Sequence, residues 1–582
     1  MRIFNLIMKF AEELGRILVG GWRHIIRTET FFYFFLFILI FPNMILCYTE
    51  PLSLMSKVCN VLLPFGVYYV VMTCSRNFGK TFWILLPFLF LGAFQIVLLF
   101  LFGQSVIAVD MFLNLVTTNS GEVMELLDNL TPAIAFVILL YVPALIFATV
   151  SIIKKRKLSA VFLSRQRPRA LLALLMGILA LGITYPVEKN YKMTTDLYPV
   201  NVCYNVLLAF QRDAKTHNYY RTSHDFTYRA KASHPSKECE VYVMVIGETA
   251  RSQNWSLNGY TRPTNPELGK VRGLTSFTQA YTESNTTHKS VPMLLSPITA
   301  HDFDSIYYRK SIITAFKEAG FRTAFFSNQS YNNSFIDFFG KEADTWCFLK
   351  EQPDNTDRIV YDCELLELVS RELECGDRKL FIVLHTYGSH FNYRERYPAG
   401  MAFFKPDAPI DANAGNRNPL LNAYDNTIRY TDYFLARLIG LLDEADIHTA
   451  LLYASDHGED IYDDDRHFFL HASPIPSGYQ LHVPFLVWMS DKYQHSFPAA
   501  LKAVQANQTK HVSSSTSFFH TMLELGGIQT AYFKDSLSVT SPLYRESPGV
   551  YLNDHNKPCP QDKELFFTGK YTGSSQEMQF KR

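Results

Sequence analysis

The chain has 582 residues, of which 48% are hydrophobic and 15% aromatic, and its formal net charge at pH 7 is +1. A net charge this close to zero gives no global field that would attract a polyanion, so we expect no nucleic-acid partner. The hydrophobic and aromatic fractions are high for a soluble enzyme of this length, which indicates that part of the chain is embedded in a membrane.

The N-terminal third of the chain predicts a membrane domain with five spans. Its uncharged apolar runs approach or exceed the length of about 20 residues that crosses a bilayer as a helix. Buried core helices are the alternative, and runs of this length disfavour them. Residues 4–26, ahead of the first run, predict an amphipathic helix on the inner membrane face. The runs are Thr30–Thr49, Val58–Ser75, Thr81–Val109, Asn129–Ile153 and Ala170–Val187.

The charges of the connecting loops orient these spans. Lys154–Arg169, between the fourth and fifth runs, is strongly basic. The loop between the third and fourth runs contains acidic residues such as Asp110 and Glu122 and no Lys or Arg. Basic loops stay in the cytoplasm. Five spans from a cytoplasmic N-terminus therefore place everything after Val187 on the outer side of the membrane.

The rest of the chain predicts an α/β domain. Short apolar runs typical of strands alternate with helical stretches, which predicts a mostly parallel sheet covered on both faces. We therefore assign residues 1–187 to the membrane domain, 188–240 to a linker and 241–582 to this second domain. In the linker, Tyr198–Phe210 has apolar residues at helical spacing, typical either of a helix on the membrane surface or of an ordinary linker helix. The predicted strands are Val241–Ile246, Thr323–Ser327, Lys379–Leu384, Thr449–Ala454 and Val483–Met489, and the predicted helices are Ser311–Ala319, Asp362–Leu373, Asn422–Ala445 and Ser513–Leu525.

Several side chains that bind metals lie directly after predicted strands. Glu248 follows the first strand, and Asp456 and His457 follow the fourth. Open α/β sheets bind ligands beyond the carboxyl ends of their strands, so we expect these residues at one edge of the sheet. His390 and His471 lie on loops of the same domain. A mixed carboxylate and imidazole set suits zinc or manganese, although a single histidine is more often structural than a ligand.

Thr287 is a candidate nucleophile because it lies just before Lys289–Ser296, a stretch that can open a helix. Backbone N–H groups at the start of a helix stabilise the oxygens of a phosphoryl group. A threonine hydroxyl is a poor nucleophile near neutral pH, and coordination to a divalent cation would favour its alkoxide. Two alternatives stay open on the residues alone. Either Thr286 or Thr287 is merely a helix N-cap, or Thr249 is the nucleophile.

Short motifs extend this pattern along the chain: GETAR at Gly247–Arg251, NGYTRPTNPEL at Asn258–Leu268, SVP at Ser290–Pro292, HTYGSH at His385–His390, YDNTIRYTDYFL at Tyr424–Leu435, SDHGE at Ser455–Glu459 and HVPFLVW at His482–Trp488. With the five spans they resemble the phosphoethanolamine transferases of Gram-negative inner membranes, which belong to the alkaline phosphatase/sulfatase superfamily. The resemblance implies an N-terminal five-helix transmembrane domain followed by a sulfatase/alkaline phosphatase-like α/β domain with a mostly parallel central sheet. It also implies a multi-pass protein of the bacterial inner membrane whose catalytic domain lies in the periplasm.

The resemblance implies roles for individual residues of the α/β domain. Glu248 matches the acidic zinc ligand of the family. Thr287, three residues before the SVP motif, matches its threonine nucleophile, which favours Thr287 over Thr249. Asp456 and His457 match the remaining ligands of the first metal site, which Thr287 completes. The implied cofactor is zinc, as one or two ions.

Substrate contacts are implied at further positions. His390 and His471 match residues that bind a second zinc or the phosphate-bearing substrate, or that act as acid–base groups. Asn114, Thr118 and Glu122, between the third and fourth spans, have the N-x3-T-x3-E spacing with which the family holds the donor head group. Residues four apart share one helical face, so the three can line one groove. Without the resemblance, they would indicate only a solvated helix face.

The chain departs from the family at several positions. Glu283 and Met293 stand where the lipid A-modifying members have paired cysteines around the nucleophile. The family's lysine in the loop after the second strand has no counterpart in Ser327–Asn333. Asn328, Gln329 and Ser330 are the candidates for replacing its substrate contacts. These changes leave the predicted reaction intact but leave the acceptor open.

The implied reaction is transfer of phosphoethanolamine from phosphatidylethanolamine to a lipopolysaccharide acceptor, either a lipid A phosphate or a core sugar, through a phospho-threonine intermediate. We expect the protein to be a monomer. Alternatives are a glycerol-phosphate transferase or another phosphodiester transferase or hydrolase of the superfamily, and a different acceptor such as a periplasmic glucan. A sulfatase would need a C/S-x-P-x-R motif, which is absent around Thr287. A non-catalytic membrane protein is disfavoured because Glu248, Asp456 and His457 occur together with Thr287.

Overall fold

The computed structural model describes residues 28–50, 52–102, 106–117, 131–189, 191–234, 239–355, 358–376, 378–409, 412–466, 468–473, 475–546 and 548–561. The amphipathic helix predicted over residues 4–26 lies outside these ranges. The chain divides into two compact units. Among the described residues, the first unit contains those up to 107 and 130–206, and the second contains those from 108 to 129 and from 207 onward.

Helices build the first unit and alternate with strands in the second. In chain order the longer helices are α1 (Thr28–Thr49), α2 (Leu54–Thr73), α3 (Phe78–Ile84), α4 (Leu86–Phe102), α5 (Val109–Thr117), α6 (Thr131–Ile153), α7 (Ala160–Val187), α8 (Val200–His217), α9 (Thr287–Leu294), α10 (Ile312–Glu318), α11 (Phe335–Gly340), α12 (Leu365–Glu374), α13 (Arg417–Glu444), α14 (Asp491–Ser496), α15 (Pro498–Asn507) and α16 (Ser514–Leu525).

The first unit contains helices that are long and apolar enough to cross a membrane, namely α1, α2, α6 and α7. The pair α3 and α4 adds a fifth candidate if the two count as one span, since they meet at a 59° bend. Pro87, near the start of α4, has no N–H to continue the hydrogen-bond ladder of α3, which accounts for the break. The structure thus accommodates the five predicted spans, with the third one bent and ending at Phe102 rather than Val109.

Glycines let two of the spans touch. A Cβ atom at Gly66 of α2 would lie 2.5 Å from the Cα atom of Leu174 in α7. A Cβ atom at Gly177 of α7 would lie 2.5 Å from the Cα atom of Leu63 in α2. No side chain fits at that separation, so the two helices are in backbone contact at both levels. Small residues at such positions are typical of helix pairs in membranes, where close packing replaces the hydrophobic effect.

The second unit is built on a seven-stranded sheet. Its strands are β1 (Glu240–Gly247), β2 (Leu274–Phe277), β3 (Arg322–Ser327), β4 (Thr345–Phe348), β5 (Lys379–His385), β6 (His448–Ser455) and β7 (Phe485–Met489). Their order in the sheet is β2-β7-β6-β1-β5-β3-β4. All pairings are parallel except those of β7, which runs antiparallel to β2 and β6. The predicted mostly parallel sheet is confirmed, but the two short strands at its edges, β2 and β4, were not predicted.

Short strand pairs surround this sheet. They join Lys231–Ala232 to Ile528–Gln529, Ala280–Tyr281 to Val512–Ser513, Asp460–Ile461 to Phe469–Leu470, and Val550–Leu552 to Pro558–Pro560.

The sheet separates two apolar layers. The central strand β1 is buried along its whole length, and alternate residues such as Met244 and Val245 pack into different layers. Helices α10 and α16 contribute to the first layer, and α12 and α13 contribute to the second. A parallel sheet covered on both faces leaves the carboxyl ends of its strands as the place where polar side chains can gather.

Candidate metal centre

The site begins where β1 and β6 end. These neighbouring strands are parallel, and Gly247 at the end of β1 lies opposite Ser455 at the end of β6. Glu248 and Asp456 therefore start adjacent loops at the same edge of the sheet. The backbone N–H of Asp456 donates to the carbonyl oxygen of Gly247 at 3.0 Å, which fixes the two loops to each other.

Glu248, Asp456 and His457, which we call the metal group, are buried together with the geometry of a metal site. One ligand atom from each lies within 4.8 Å of the others, and in the part of the chain that the structure describes this is the one such group of three acidic, histidine or cysteine residues. The Nε2 atom of His457 is 3.5 Å from a Glu248 oxygen and 3.3 Å from an Asp456 oxygen. None of the three residues is more than 1% exposed. The structure thus brings together the residues that the sequence placed after different strands.

Thr287 is the first residue of α9, and its hydroxyl lies against this group. Its Oγ1 atom is 3.0 Å from Nε2 of His457 and 3.4 and 3.5 Å from the two carboxylate oxygens of Glu248. An N-cap hydroxyl would instead accept a backbone N–H of the first helical turn. Thr286 occupies the cap position without such a bond, and its hydroxyl contacts Ser284 at 3.1 Å. Thr286 is therefore the N-cap residue by position, but neither hydroxyl makes the capping hydrogen bond.

Thr249, the rival threonine, supports the candidate metal ligand Glu248. The Thr249 hydroxyl is buried and donates to a Glu248 oxygen at 2.7 Å, while the Thr249 backbone N–H donates to Asp456 at 3.1 Å. Gln329 donates from its amide to the other Glu248 oxygen at 2.8 Å and to the carbonyl oxygen of Thr386 at 3.0 Å. These bonds orient the Glu248 carboxylate, as hydrogen bonds to metal ligands commonly do.

Asn328 does not fit the substrate contact predicted for it. It is buried, and its amide donates to Asp362 at 2.8 Å and to the carbonyl oxygen of Val360 at 3.1 Å. Asp362 in turn accepts the backbone N–H groups of Tyr387 and Gly388 at 2.8 and 2.9 Å. Because its donors are used within the fold, Asn328 supports the loop after β5 instead of offering its amide to a substrate.

That loop approaches Glu248 so closely that it requires a glycine. Gly388 has a φ of +49°, and a Cβ atom there would lie 2.6 Å from the carbonyl oxygen of Glu248. The next residue, Ser389, donates its backbone N–H to the same oxygen at 2.9 Å. The glycine of the HTYGSH motif is therefore what allows the loop carrying His390 to lie against the metal group.

The donor set fits a divalent cation such as zinc. Two carboxylates, one imidazole and the Thr287 hydroxyl offer four ligand atoms, three of them of types that zinc commonly binds. Burial raises the pKa of Asp456 to about 7 and lowers the pKa of His457 to about 4, because each charged form is removed from water. A bound cation would compensate the buried carboxylate charge, and neutral imidazole is the form that binds a metal. Geometry and electrostatics therefore agree on a cation at this position.

His390 and His471 lie beside the metal group. The ring centroid of His471 is 4.1 Å from that of His457 and 6.0 Å from that of His390. The Nδ1 atom of His390 is 2.6 Å from the carbonyl oxygen of Phe391, so Nδ1 carries a proton and Nε2 is left as an acceptor or ligand. Burial holds the pKa of both His390 and His471 well below the ordinary value, so both are neutral at pH 7.

Glu459 is a member of the site for which no role was predicted from the sequence. It is buried, and one of its carboxylate oxygens is 3.7 Å from Nδ1 of His471. Burial raises its pKa well above the ordinary value. The signal was present in the SDHGE motif, where Glu459 follows His457 by two residues, but only the folded loop shows that its carboxylate lies next to His471.

Two cationic side chains lie near His390. The Lys350 ammonium is 3.1 Å and the Arg396 guanidinium 4.0 Å from the ring centroid of Tyr387, and that ring stacks on the His390 ring at 5.3 Å. Arg396 also donates to the carbonyl oxygen of His390 at 2.9 Å. Positive charge here favours an anionic substrate. No sequence pattern indicated Lys350 or Arg396, because neither lies in one of the motifs.

Of the positions predicted to hold the donor head group, Asn114 lies on α5, and Thr118 and Glu122 lie outside the described residues. Helix α5 belongs to the same compact unit as the metal group.

Comparison with known proteins shows which proteins this fold and site resemble. Residues 240–528 match the family model described as Sulfatase. Phosphoethanolamine transferase EptC of Escherichia coli (strain K12) is 27% identical over 353 residues, 58% of this chain and 59% of that protein. The Kdo(2)-lipid A phosphoethanolamine 7''-transferase of the same strain is 32% identical over 279 residues, 46% of this chain and 47% of that protein. The chain thus matches about half of the length of these relatives, and the resemblance to phosphoethanolamine transferases is confirmed.

Solved structures of such proteins share the fold. The C-terminal periplasmic domain of EptC from Escherichia coli, in complex with Zn, has a TM-score of 0.54 and 26% identity and covers 59% of this chain and 98% of that chain. The integral membrane protein lipooligosaccharide phosphoethanolamine transferase A (EptA) from Neisseria meningitidis has a TM-score of 0.69 and 21% identity and covers 87% of this chain and 98% of that chain. The predicted architecture, apolar N-terminal helices followed by a sulfatase-like α/β domain, is confirmed.

Proposed function

We propose that this protein is a metal-dependent phosphoethanolamine transferase. The observation that carries the proposal is the position of the Thr287 hydroxyl, 3.0 Å from His457 and within 3.5 Å of both Glu248 oxygens. A hydroxyl held against metal-binding side chains at the start of a helix meets the requirements of a nucleophile for phosphoryl transfer. The names of the relatives support phosphoethanolamine as the transferred group.

Zinc is the proposed cofactor, as one or two ions. Glu248, Asp456, His457 and Thr287 are the residues that would hold the first. When bound, zinc would neutralise charge on the phosphoryl oxygens and favour ionisation of the threonine hydroxyl. The Zn complex of the EptC domain supports this choice.

The reaction proceeds in two displacements at phosphorus. In the first, Oγ1 of Thr287 attacks the phosphorus of phosphatidylethanolamine, the bond from phosphorus to the glycerol oxygen breaks, and diacylglycerol leaves with the proton that Thr287 lost. In the second, an acceptor oxygen attacks the phosphorus and gives up its proton, and the threonine oxygen leaves and regains one. Backbone N–H groups at the start of α9 stabilise the phosphoryl oxygens. His390 and His471, both neutral at pH 7, carry protons between the entering and leaving oxygens.

The donor and the acceptor are assigned to different residues. Asn114, Thr118 and Glu122 bind the donor head group, and the Glu122 carboxylate receives its ammonium group. Lys350 and Arg396 attract the anionic acceptor. We propose that this acceptor is lipopolysaccharide, at a lipid A phosphate or a core sugar, which the Kdo(2)-lipid A relative supports.

The proposed location follows from these substrates. Both are lipids, so the metal centre must work at a membrane surface. The charges of the loops place the second unit outside, and the EptC domain, which is periplasmic, supports this. We propose a monomeric, multi-pass protein of the bacterial inner membrane with its metal centre in the periplasm.

Intact-mass measurement tests the nucleophile. Wild-type protein incubated with phosphatidylethanolamine is expected to gain one phosphoethanolamine group and release diacylglycerol, visible by thin-layer chromatography of labelled lipid. T287A should give neither product. The matched control T286A changes a neighbouring hydroxyl that does not contact the metal group and should give both. An adduct on T287A, or diacylglycerol released from phosphatidylglycerol but not from phosphatidylethanolamine, would contradict the proposal.

A further inference from the structure

Outside the metal centre, the second unit buries another group of charges. The Asp110 carboxylate, at the start of α5, lies 2.5 Å from Nζ of Lys289 and accepts a hydrogen bond from Arg212 at 3.1 Å. The Nε2 atom of His288 is 3.3 Å away. The side chains of Lys289 and Asp110 are only 3% and 10% exposed. Removing one partner of a buried pair leaves an uncompensated charge, so the cluster resists separation.

The cluster also fixes the first turn of α5. The Asp554 carboxylate accepts the backbone N–H groups of Val109 and Asp110 at 2.8 and 3.1 Å, which satisfies donors that the start of a helix leaves without partners. Arg212 joins the two acidic residues, since it also donates to the carbonyl oxygen of Asp554 at 2.8 Å. The start of α5 is therefore held by its backbone and by its Asp110 side chain.

Lys289 connects this cluster to the nucleophile. It follows Thr287 by two residues on α9, so the hydroxyl and the ammonium group leave the helix in different directions. The hydroxyl lies against the metal group, and the ammonium group lies against Asp110. One short helix thus contacts both the metal centre and the start of α5. On α5, Asn114 follows Asp110 by about one helical turn.

We propose that Asp110 and Lys289 are positioning residues that fix α5, and with it the donor head group, relative to the Thr287 hydroxyl. The inference rests on the proposed function, in which Asn114 contacts the donor. The ion pair touches neither the reacting atoms nor the metal ligands. Its loss therefore affects donors that engage α5 and spares small substrates that need only the nucleophile and the metal.

The test compares phosphatidylethanolamine with a small soluble aryl phosphodiester on the full-length, detergent-solubilised protein. D110N and K289M are each expected to lower kcat/KM for the lipid donor by about tenfold to a hundredfold, the cost of a misplacement of about 1 Å. Cleavage of the soluble diester should stay near the wild-type rate. K289R, which keeps the charge, should retain more lipid-donor activity than K289M. The control K317M breaks the part-exposed Lys317–Asp344 pair elsewhere in the domain and should change neither rate.

Coupling between the two residues gives a second criterion. Because Asp110 and Lys289 act as a pair, the double variant D110N/K289M should be no worse than the poorer single variant. Additive losses in the double variant would overturn the proposal. So would equal losses on the lipid donor and the soluble diester, or an unchanged lipid-donor kcat/KM in D110N.

Hydrogen–deuterium exchange separates this inference from the proposed function. Amides of residues 109–117 should exchange faster in K289M than in the wild type or K317M, while those of residues 455–460 stay unchanged. If the wild type releases no diacylglycerol from phosphatidylethanolamine, the proposed function fails, and the exchange rates still decide whether the ion pair holds α5. Unchanged exchange over residues 109–117 in both K289M and D110N would overturn the positioning role.

Discussion

The backbone around Glu248 leaves very little space at the metal centre. Its carbonyl oxygen accepts the N–H of Ser389, and its side chain is held by Thr249 and Gln329. The carboxylate therefore reaches the metal group already oriented, with little rotational freedom left to lose. This orientation of the Glu248 carboxylate depends on Gly388, because a side chain at position 388 would collide with the Glu248 backbone.

Replacing Gly388 by alanine is expected to damage the metal centre. The added Cβ atom would lie 2.6 Å from the Glu248 carbonyl oxygen, so the loop or the ligand must move, and the φ of +49° adds strain for any residue with a side chain. We expect G388A to lower zinc affinity at least about tenfold, in line with changes next to metal ligands. The affinity is measured by competition with a chromogenic chelator.

Gly376 offers the matched control. It also has a positive φ, +70°, but a Cβ atom there would meet nothing within 4 Å. G376A should therefore lose some stability from backbone strain and keep its zinc affinity. Equal zinc affinities for G388A and the wild type would show that the close approach to Glu248 does not matter for the metal.

Thr287, the proposed nucleophile, shows which features of a site residue can and cannot be predicted from the sequence. Thr287 was identified through the family motif, while its local sequence fitted a helix cap equally well. The contacts that support it as the nucleophile join it to residues 39 and 170 positions away. Local patterns do not encode contacts at such separations. Lys350 and Arg396 escaped prediction for the same reason.

Asp432 on helix α13 forms hydrogen bonds with the backbone of a turn that is distant in the sequence. The two Asp432 oxygens accept the backbone N–H groups of Glu267 and Leu268, both at 2.9 Å. Asp432 is buried, and burial raises its pKa to about 6 despite these hydrogen bonds. The NPEL and YDNTIRYTDYFL motifs, far apart in the chain, are thus parts of one contact.

The stability that Asp432 contributes should depend on pH. Its folded-state pKa of about 6 is above the unfolded value of about 4, so the folded state binds more protons between these values and gains stability as pH falls. D432N does not titrate, and its amide NH2 faces a backbone N–H. We expect it to be less stable than the wild type, with a gap larger by about 1 kcal/mol at about pH 5 than at about pH 8.

Thermal unfolding of the detergent-solubilised proteins measures this gap. The control D443N changes an exposed aspartate near the end of the same helix and should leave the unfolding temperature close to that of the wild type. A gap between wild type and D432N that widens toward high pH would contradict the assignment of a raised pKa.

The sequence patterns predicted the buried strands of the sheet and missed the strands at its two edges. Strand β1 is a long run of apolar residues buried on both sides, which gives an unambiguous signal. The missed strands β2 and β4 have four residues each, LTSF and TWCF, and lie at the two ends of the sheet. Such short, half-exposed segments take their structure from the neighbouring strand and not from their own pattern.

The Glu283 side chain also connects segments that are distant in the sequence. Its carboxylate accepts hydrogen bonds from the backbone N–H of Ala300 and the hydroxyls of Ser513 and Thr516, at 2.6, 2.6 and 2.9 Å. It thus ties the segment before the nucleophile to α16 and its preceding strand.

The five predicted spans imply on which side of the membrane each connecting loop and the second unit lie. Cys74 is exposed at the end of α2, in a loop whose basic residues Arg76 and Lys80 predict a cytoplasmic location, and Cys375 is exposed at the end of α12 in the second unit. In single-cysteine variants on intact spheroplasts, a membrane-impermeant maleimide should label Cys375 and should label Cys74 only after the membrane is disrupted. Labelling of Cys74 alone in intact spheroplasts would place the metal centre in the cytosol.

The hydrogen bonds from Val109 and Asp110 to Asp554 cannot form until the ribosome has made residue 554. The first of them joins residues 445 positions apart. At translation rates of about 5–20 residues per second, α5 emerges tens of seconds before the residue that caps it. The candidate metal ligands Glu248, Thr287, Asp456 and His457 are made before that residue too. A ribosome-stalled chain that stops just short of position 554 would therefore contain all four of these residues and still lack the cap of α5.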